Sequence, residues 1–479
     1  MGFTTVIYLF YFLPLFLIIF FSLPRRLKFP FLLAASFIFY IWGSPVGAIV
    51  LFLSSILDYW FGRAIDRAPS ARGRKAWMAA SVAFNIAILL YFKYANFFVG
   101  EFNRLLTSLG FSAIGWTNVF FPVGISFLTF QKITYLVDIY YKKAAPAPRF
   151  WRYLLYIAMF PKLTNGPIAK YRDMADQLHE PRYTLDDIFE GSVRFCIGMA
   201  KKLLLADPIG NVANRVYGLD QTHLTPGYAW LGAVAFSFQV YLDFAAYTDM
   251  AIGVGRMMGF TLPENFRRPY FCQNFTEHWR RWHISLVQWY REYLYFPLGG
   301  NKKGRWRTYL NLWIVFLVTG FWHGANWTYL AWGAYNGFFI FLERLFWNEK
   351  ITKRLPIWVN VPLSYFLILA GQVFFRSESV SAAVRHLHLM FNFTLIGKME
   401  SPTLWANLIG NRELFVLFIC VAVSFFPDQL IDCIRNRVAP RIRPSLFIGI
   451  KIAVASVLFC LSILALVNSG FSPFIYFRF

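Results

Sequence analysis

Two histidines sit where a purely structural helix would not place them. His323 lies in Phe321-Trp322-His323-Gly324-Ala325-Asn326-Trp327, with apolar runs over 309–320 before it and 329–341 after it. An ionisable group in such a run costs roughly 2.5 kcal/mol or more at a bilayer centre, so it usually lines a cavity or pathway. An imidazole there can act as a general base on an attacking nucleophile, relay a proton, or carry an acyl group in transit. The alternative is a neutral ring held by one hydrogen bond between packed helices. Gly320, Gly324 and Asn326 weigh against it, because they supply small surfaces and an amide where packing alone would use Leu or Ala. Trp322 and Asn326 are the expected walls of the His323 pocket.

The second histidine, His283, falls in the segment 274–295, dense in Trp, Arg and His. At helical spacing Trp279, Trp282, His283, Leu286 and Trp289 share one side, which predicts an interfacial amphipathic helix. His283 would orient a donor, Trp279 would support it, and Arg280, Arg281, Lys302 and Lys303 would attract a phosphate-bearing donor. Upstream, Asp243 and Asp249 place two carboxylates in an apolar span, where each must be paired, hydrogen-bonded or protonated. They either lock helices together with nearby tyrosines or arginines, or orient a histidine. No phosphate-binding glycine loop, nucleophile elbow or zinc-protease motif is present.

These residues need elements to hold them, and composition says what kind. With 58% hydrophobic and only 15% charged residues in 479, too little polar surface remains for a soluble fold. The chain reads as a single all-α integral membrane domain over 1–479. Apolar segments at 5–23, 29–43, 46–62, 77–97, 118–140, 153–169, 188–207, 228–258, 308–325, 327–346, 357–375, 413–426 and 446–468 predict about 11–13 membrane helices, several too short to cross unbroken. Two prolines and a glycine in Phe160-Pro161-Lys162-Leu163-Thr164-Asn165-Gly166-Pro167 predict a broken, re-entrant stretch. The net charge of +23 is gathered in short clusters between apolar spans. That pattern marks cytoplasmic loops, with the N-terminus outside, rather than a nucleic-acid surface. Helical rise carries His323 about 24 Å beyond Arg307, so a buried tunnel must reach it. Five cysteines scattered without ligand spacing imply neither disulfide nor metal. His179, His223, His386 and His388 lie in polar segments and are expected at the surface.

Taken together, the motifs resemble the membrane-bound O-acyltransferase family, in its branch of alginate O-acetylases and teichoic-acid D-alanylation proteins. They include Tyr91-Phe92-Lys93-Tyr94-Ala95-Asn96-Phe97, Pro122-Val123-Gly124, Glu264-Asn265-Phe266, Trp279-Arg280-Arg281-Trp282-His283, Leu298-Gly299-Gly300-Asn301, Trp322-His323-Gly324-Ala325-Asn326 and the terminal 473–479. The resemblance implies helices with re-entrant segments around a central tunnel, with His323 as the essential histidine and His283 as the second. It implies transfer of an acetyl group from a cytoplasmic donor, acetyl-CoA, across the bacterial inner membrane to a polysaccharide such as alginate. Peptidoglycan and cellulose are the alternative acceptors, and a periplasmic SGNH-type acetyltransferase or a polysaccharide synthesis complex is the implied partner. No tightly bound cofactor is expected. The chain departs from the branch at Ala245 and Ala246, where serine and glycine are usual, and at His278, where an aromatic is usual. A proton-coupled transporter or flippase, using His323, Asp243 and Asp249 as a relay, is the competing class.

Overall fold

A computed structural model describes residues 2–220, 223–392, 394, 401–427, 430, 433, 436–437, 439–441, 443–469 and 472–474. Residues 475–479 of the terminal motif lie outside the described residues. All regular structure among the described residues is helical, and the chain is an all-α integral membrane protein. Six helices there are long and apolar enough to cross a membrane: Arg25–Gly43, Pro45–Arg67, Ala71–Ser108, Pro226–Met257, Ile357–Arg376 and Pro444–Asn468. The sequence predicts more because several apolar runs form shorter helices, such as Ile125–Tyr140, Trp327–Leu342 and Asn411–Phe425. Within the predicted single domain the packing resolves two compact units, Met1–Ser192 with Ala251–Pro263, and Val193–Met250 with Glu264–Phe479.

In the first unit, Ile125–Tyr140 is buried along almost its whole length and packs on Pro45–Arg67 and Ala71–Leu89. An ion pair fixes that packing: Lys132 Nζ sits 2.9 Å from Asp58 Oδ2, and Asn85 donates to Asp58 Oδ1 at 2.6 Å. Gly124 opens the helix at φ +78°, and a Cβ there would meet the Leu163 carbonyl oxygen at 2.9 Å and Thr164 Cα at 3.0 Å. Only glycine fits both the left-handed backbone and that approach. The neighbouring re-entrant stretch behaves as its prolines and glycine predict. The Phe150–Ala158 helix stops, a single turn Phe160–Leu163 follows, and the chain bends through Thr164–Gly166. Non-helical backbone is tolerated here because protein surrounds it. Lys162 is wholly buried and donates to Gln131 Oε1 and the Tyr156 carbonyl.

In the second unit, Arg305–His323 packs closely along Trp327–Leu342. The cause is two facing glycines. A Cβ on Gly333 would meet the Phe316 carbonyl oxygen at 2.5 Å and Gly320 Cα at 3.0 Å. Such close approach of small residues is how helices associate in a membrane, where apolar side chains gain little by leaving lipid. Gly324 ends the first helix, and Asn326 starts the second by accepting from the Thr328 amide at 3.2 Å. Gly333→Val is therefore expected to force the pair apart at a cost of about 1–3 kcal/mol. Gly100→Ala, in a helix position where a Cβ meets nothing within 4 Å, should hold or raise stability. Thermal unfolding of the two variants in detergent checks the contrast; equal melting temperatures would refute the packing role of Gly333.

Candidate active site

His323 is the last residue of its helix, and three aromatic rings box it. Trp322 lies at 4.9 Å, Trp332 at 4.9 Å and Phe375 at 5.3 Å between ring centroids, each near edge-on. The imidazole is buried. Trp332 comes from the partner helix that Gly320 and Gly333 admit, and Phe375 from Ile357–Arg376, which packs on the same helix. Where the resemblance implies a tunnel, the room beside His323 is a cavity of about 20 Å³, lined also by His278, Trp282, Asn336 and Gln372. That is space for roughly one water. The amide nitrogen of Gln372 donates to the Tyr270 hydroxyl at 3.0 Å. Its oxygen is buried with no hydrogen-bond partner among the described residues, leaving an acceptor at the cavity. An imidazole, an unclaimed amide oxygen and a water-sized gap in an aromatic box are what general-base activation of a hydroxyl or water requires.

The predicted helix over 274–295 is two helices, Phe275–Arg281 and Ile284–Tyr290, separated by a break at Trp282 and His283. His283 adopts φ +43°, a left-handed conformation unusual for a residue with a Cβ. Asn265 holds that turn: its carbonyl accepts from the Ile284 amide at 2.9 Å, and its side-chain oxygen accepts from the Ser285 hydroxyl at 2.6 Å. The kink turns Trp279, Trp282 and His283 into protein rather than toward lipid headgroups, and all three are buried. His283 packs edge-on against Phe244 at 4.7 Å and lies 6.3 Å from Trp322. Trp322 thus neighbours the rings of both histidines. Trp279 lies behind the box, 5.8 Å from Trp332 and 5.5 Å from Phe316.

Other predicted site residues take different places. Asn326 caps a helix and donates to the Glu378 carbonyl at 3.3 Å. Arg281 is engaged by Glu277 at 2.6 Å, one turn earlier on its own helix. Arg280, Lys302 and Lys303 are exposed, and the two lysines precede the end of Arg305–His323 opposite His323. Asp243 pairs with Lys202 at 2.6 Å, and Asp249 pairs with Lys201 at 2.6 Å and with Arg194 at 2.9 Å. Lys202 also reaches Asp207 at 2.8 Å, and its ammonium lies 4.6 Å from the Phe474 ring. This is the helix-locking arrangement, built by cations that the sequence reading left unassigned. Two lysines in the apolar span 188–207 were the available signal, since buried cations require partners. His386, expected at the surface, is buried on Val380–Met390, stacked 4.8 Å from Tyr217. Its helix turns it inward while His388, two residues on, faces out.

Residues 140–349 match the family model of the membrane-bound O-acyltransferase family. The chain is 38% identical over 494 residues to "Probable alginate O-acetylase AlgI" of Pseudomonas putida, covering 100% of both chains. It is 29% identical to "Peptidoglycan O-acetyltransferase" of Helicobacter pylori, covering 100% of this chain and 97% of that one. It is also 29% identical to "Teichoic acid D-alanyltransferase" of Bacillus subtilis, over 50% of this chain and 63% of that one. The chain belongs to the membrane-bound O-acyltransferase family. It is accordingly a multi-pass membrane enzyme that transfers acyl groups to oxygen.

Two outcomes follow from this geometry. Lys202→Met strands Asp243 and Asp207 without their buried cation, an expected loss of about 3–5 kcal/mol. Lys202→Met with Asp243→Asn should recover part of it in thermal unfolding, and a double variant no more stable than the single would refute the pairing. Burial pushes the His278 imidazole down to about 4 and the His283 imidazole to about 3. Both rings are neutral when folded, whereas the unfolded chain takes up protons as pH falls below the ordinary histidine value of about 6.5. Stability is therefore fully present above that value and is lost progressively as pH falls toward 4. His278→Phe keeps the stacking on Tyr270 and removes one proton from the balance, so melting temperature should fall less steeply between pH 7 and pH 4.5 than in the parent.

Proposed function

We propose that this enzyme takes an acetyl group from acetyl-CoA on the cytoplasmic side of a bacterial inner membrane and delivers it for O-acetylation of an extracytoplasmic polysaccharide of the alginate type. The acceptor class is supported by the relative named as an alginate O-acetylase, which aligns with this chain from end to end. The observation that carries the chemistry is the placement of His323 beside a water-sized cavity with the unclaimed oxygen of Gln372. In this reading His323 removes the proton from the attacking hydroxyl as its oxygen bonds to the thioester carbonyl carbon. The CoA thiolate leaves, and the imidazolium returns the proton to it. Trp322, Trp332 and Phe375 exclude bulk water, which would otherwise hydrolyse the thioester. His283 acts by positioning, through its packing near Trp322. Arg280, Lys302 and Lys303 attract the phosphates of the donor. The polymer can receive the group directly or through a periplasmic SGNH-type acetyltransferase.

A second reading, transfer to peptidoglycan, has the support of the full-length likeness to the Helicobacter pylori enzyme. Purified protein with radiolabelled acetyl-CoA and either an oligouronate or a muropeptide separates the two by which acceptor becomes labelled. His323→Ala should lower CoA release about 10²- to 10⁴-fold without lowering the melting temperature. His283→Ala should lower it less, because His283 is not among the residues lining the cavity beside His323. Unchanged CoA release in His323→Ala would exclude this mechanism, and no CoA release from the parent would favour a transporter.

A further inference from the structure

A second cavity, of about 420 Å³, opens in the same unit as His323, between the end of the Asp207–Tyr217 helix with its following loop and the Val380–Met390 helix. Arg376, Arg385, His386, His388, Tyr217 and Glu378 are among its lining residues. Its size is that of a small-ligand site rather than a surface dimple. The site is also built. Arg376 stacks 4.8 Å from the Tyr217 ring and donates to Asn214 Oδ1 at 3.2 Å. Tyr217 also stacks on His386, whose Nε2 lies 3.1 Å from the Ala229 carbonyl. The Tyr217 hydroxyl is shut off from solvent and has no hydrogen-bond partner among the described residues. Arg385 is exposed, and no described carboxylate pairs with it.

Position ties this cavity to the chemistry. Arg376 follows Phe375, the ring that edges His323, and Asn326, three residues after His323, donates to the carbonyl of the lining residue Glu378. The charge pattern gives its side of the membrane. Arg305–His323 follows Lys302 and Lys303, Ile357–Arg376 follows Lys350, Lys353 and Arg354, and Pro226–Met257 ends at Arg256 ahead of Arg267 and Arg268. The positive-inside rule places those ends in the cytoplasm and their opposite ends, where the cavity lies, outside.

We propose that this cavity is an external acceptor subsite that binds a carboxylate-bearing sugar unit of the polysaccharide beside the unit being acylated. Arg376 and Arg385 donate to the sugar carboxylate, and Glu378 accepts from sugar hydroxyls. A guanidinium held over an aromatic ring and hydrogen-bonded to Asn214 is already ordered, so little freedom is lost when it meets a planar carboxylate. The subsite rests on the transfer reading given above and names what it selects: an acidic saccharide over a neutral one.

The test uses the full-length protein in nanodiscs and measures binding of an oligouronate tetramer and of its carboxyl-reduced, neutral counterpart. The acidic tetramer should bind about tenfold more tightly than the neutral one, the worth of one charge-assisted hydrogen bond. Arg385→Gln should erase that preference, Arg385→Lys should restore part of it, and Lys353→Gln, at the cytoplasmic end, should leave it intact. Equal binding of the two tetramers, or an unchanged preference in Arg385→Gln, would overturn the subsite. So would equally tight binding of a polyglutamate of matched charge, which would mark a surface for an acidic protein. CoA release from acetyl-CoA without acceptor is read in the same preparation. Its absence in the parent would sink acyl transfer from that donor, while the tetramer preference still decides the subsite.

Discussion

The close approach of Arg305–His323 to Trp327–Leu342 is the constraint on which the site depends. Gly320 and Gly333 let the two backbones nearly touch, and that contact carries Trp332 to the edge of His323. Ile357–Arg376 then packs on the second helix and brings Phe375 to the same imidazole. Two of the three walls of the box around His323, Trp332 and Phe375, are thus placed by interhelical distances, and any side chain larger than glycine in that seam would open it. A membrane offers little hydrophobic reward for helix association, so small residues in van der Waals contact must supply it.

A second set of forces anchors the frame behind the box. Asp243 and Asp249 on Pro226–Met257 meet Lys202, Lys201 and Arg194 from the segment before it, so each carboxylate has a cation within 3 Å. Buried ions make poor stabilisers compared with apolar packing, but a mispaired arrangement is costly, so they specify one register between helices. Phe244 lies one residue after Asp243 and packs on His283, so the register set by the ion pairs also sets where the second histidine rests. Asn265 completes the placement by holding His283 in a left-handed turn.

Much of this was legible residue by residue. The helices predicted at 228–258, 308–325 and 357–375 appear at Pro226–Met257, Arg305–His323 and Ile357–Arg376, because long apolar runs bounded by charge or proline leave few alternatives in a membrane. The re-entrant stretch after Phe160 was legible for the same reason. The helix predicted over 274–295 was not, since its hydrophobic spacing is compatible with one continuous helix. The break at His283 is imposed by Asn265, nine residues before the segment begins. His386 has polar neighbours in sequence and a tyrosine face in space, so local composition misplaced it.

The sequence by itself determined that this is an integral membrane protein, that His323 is buried, and that its motifs belong to O-acyltransferases. Those properties follow from composition, from the cost of placing an imidazole in an apolar run, and from motifs that are local in the chain. Only the tertiary structure decided which rings from other helices surround His323, that His283 packs near Trp322, and that the two aspartates are engaged by lysines and an arginine. Each of those depends on contacts between residues tens to hundreds of positions apart. The closeness of such contacts is set by how helices pack, and no periodicity along one strand of sequence encodes it.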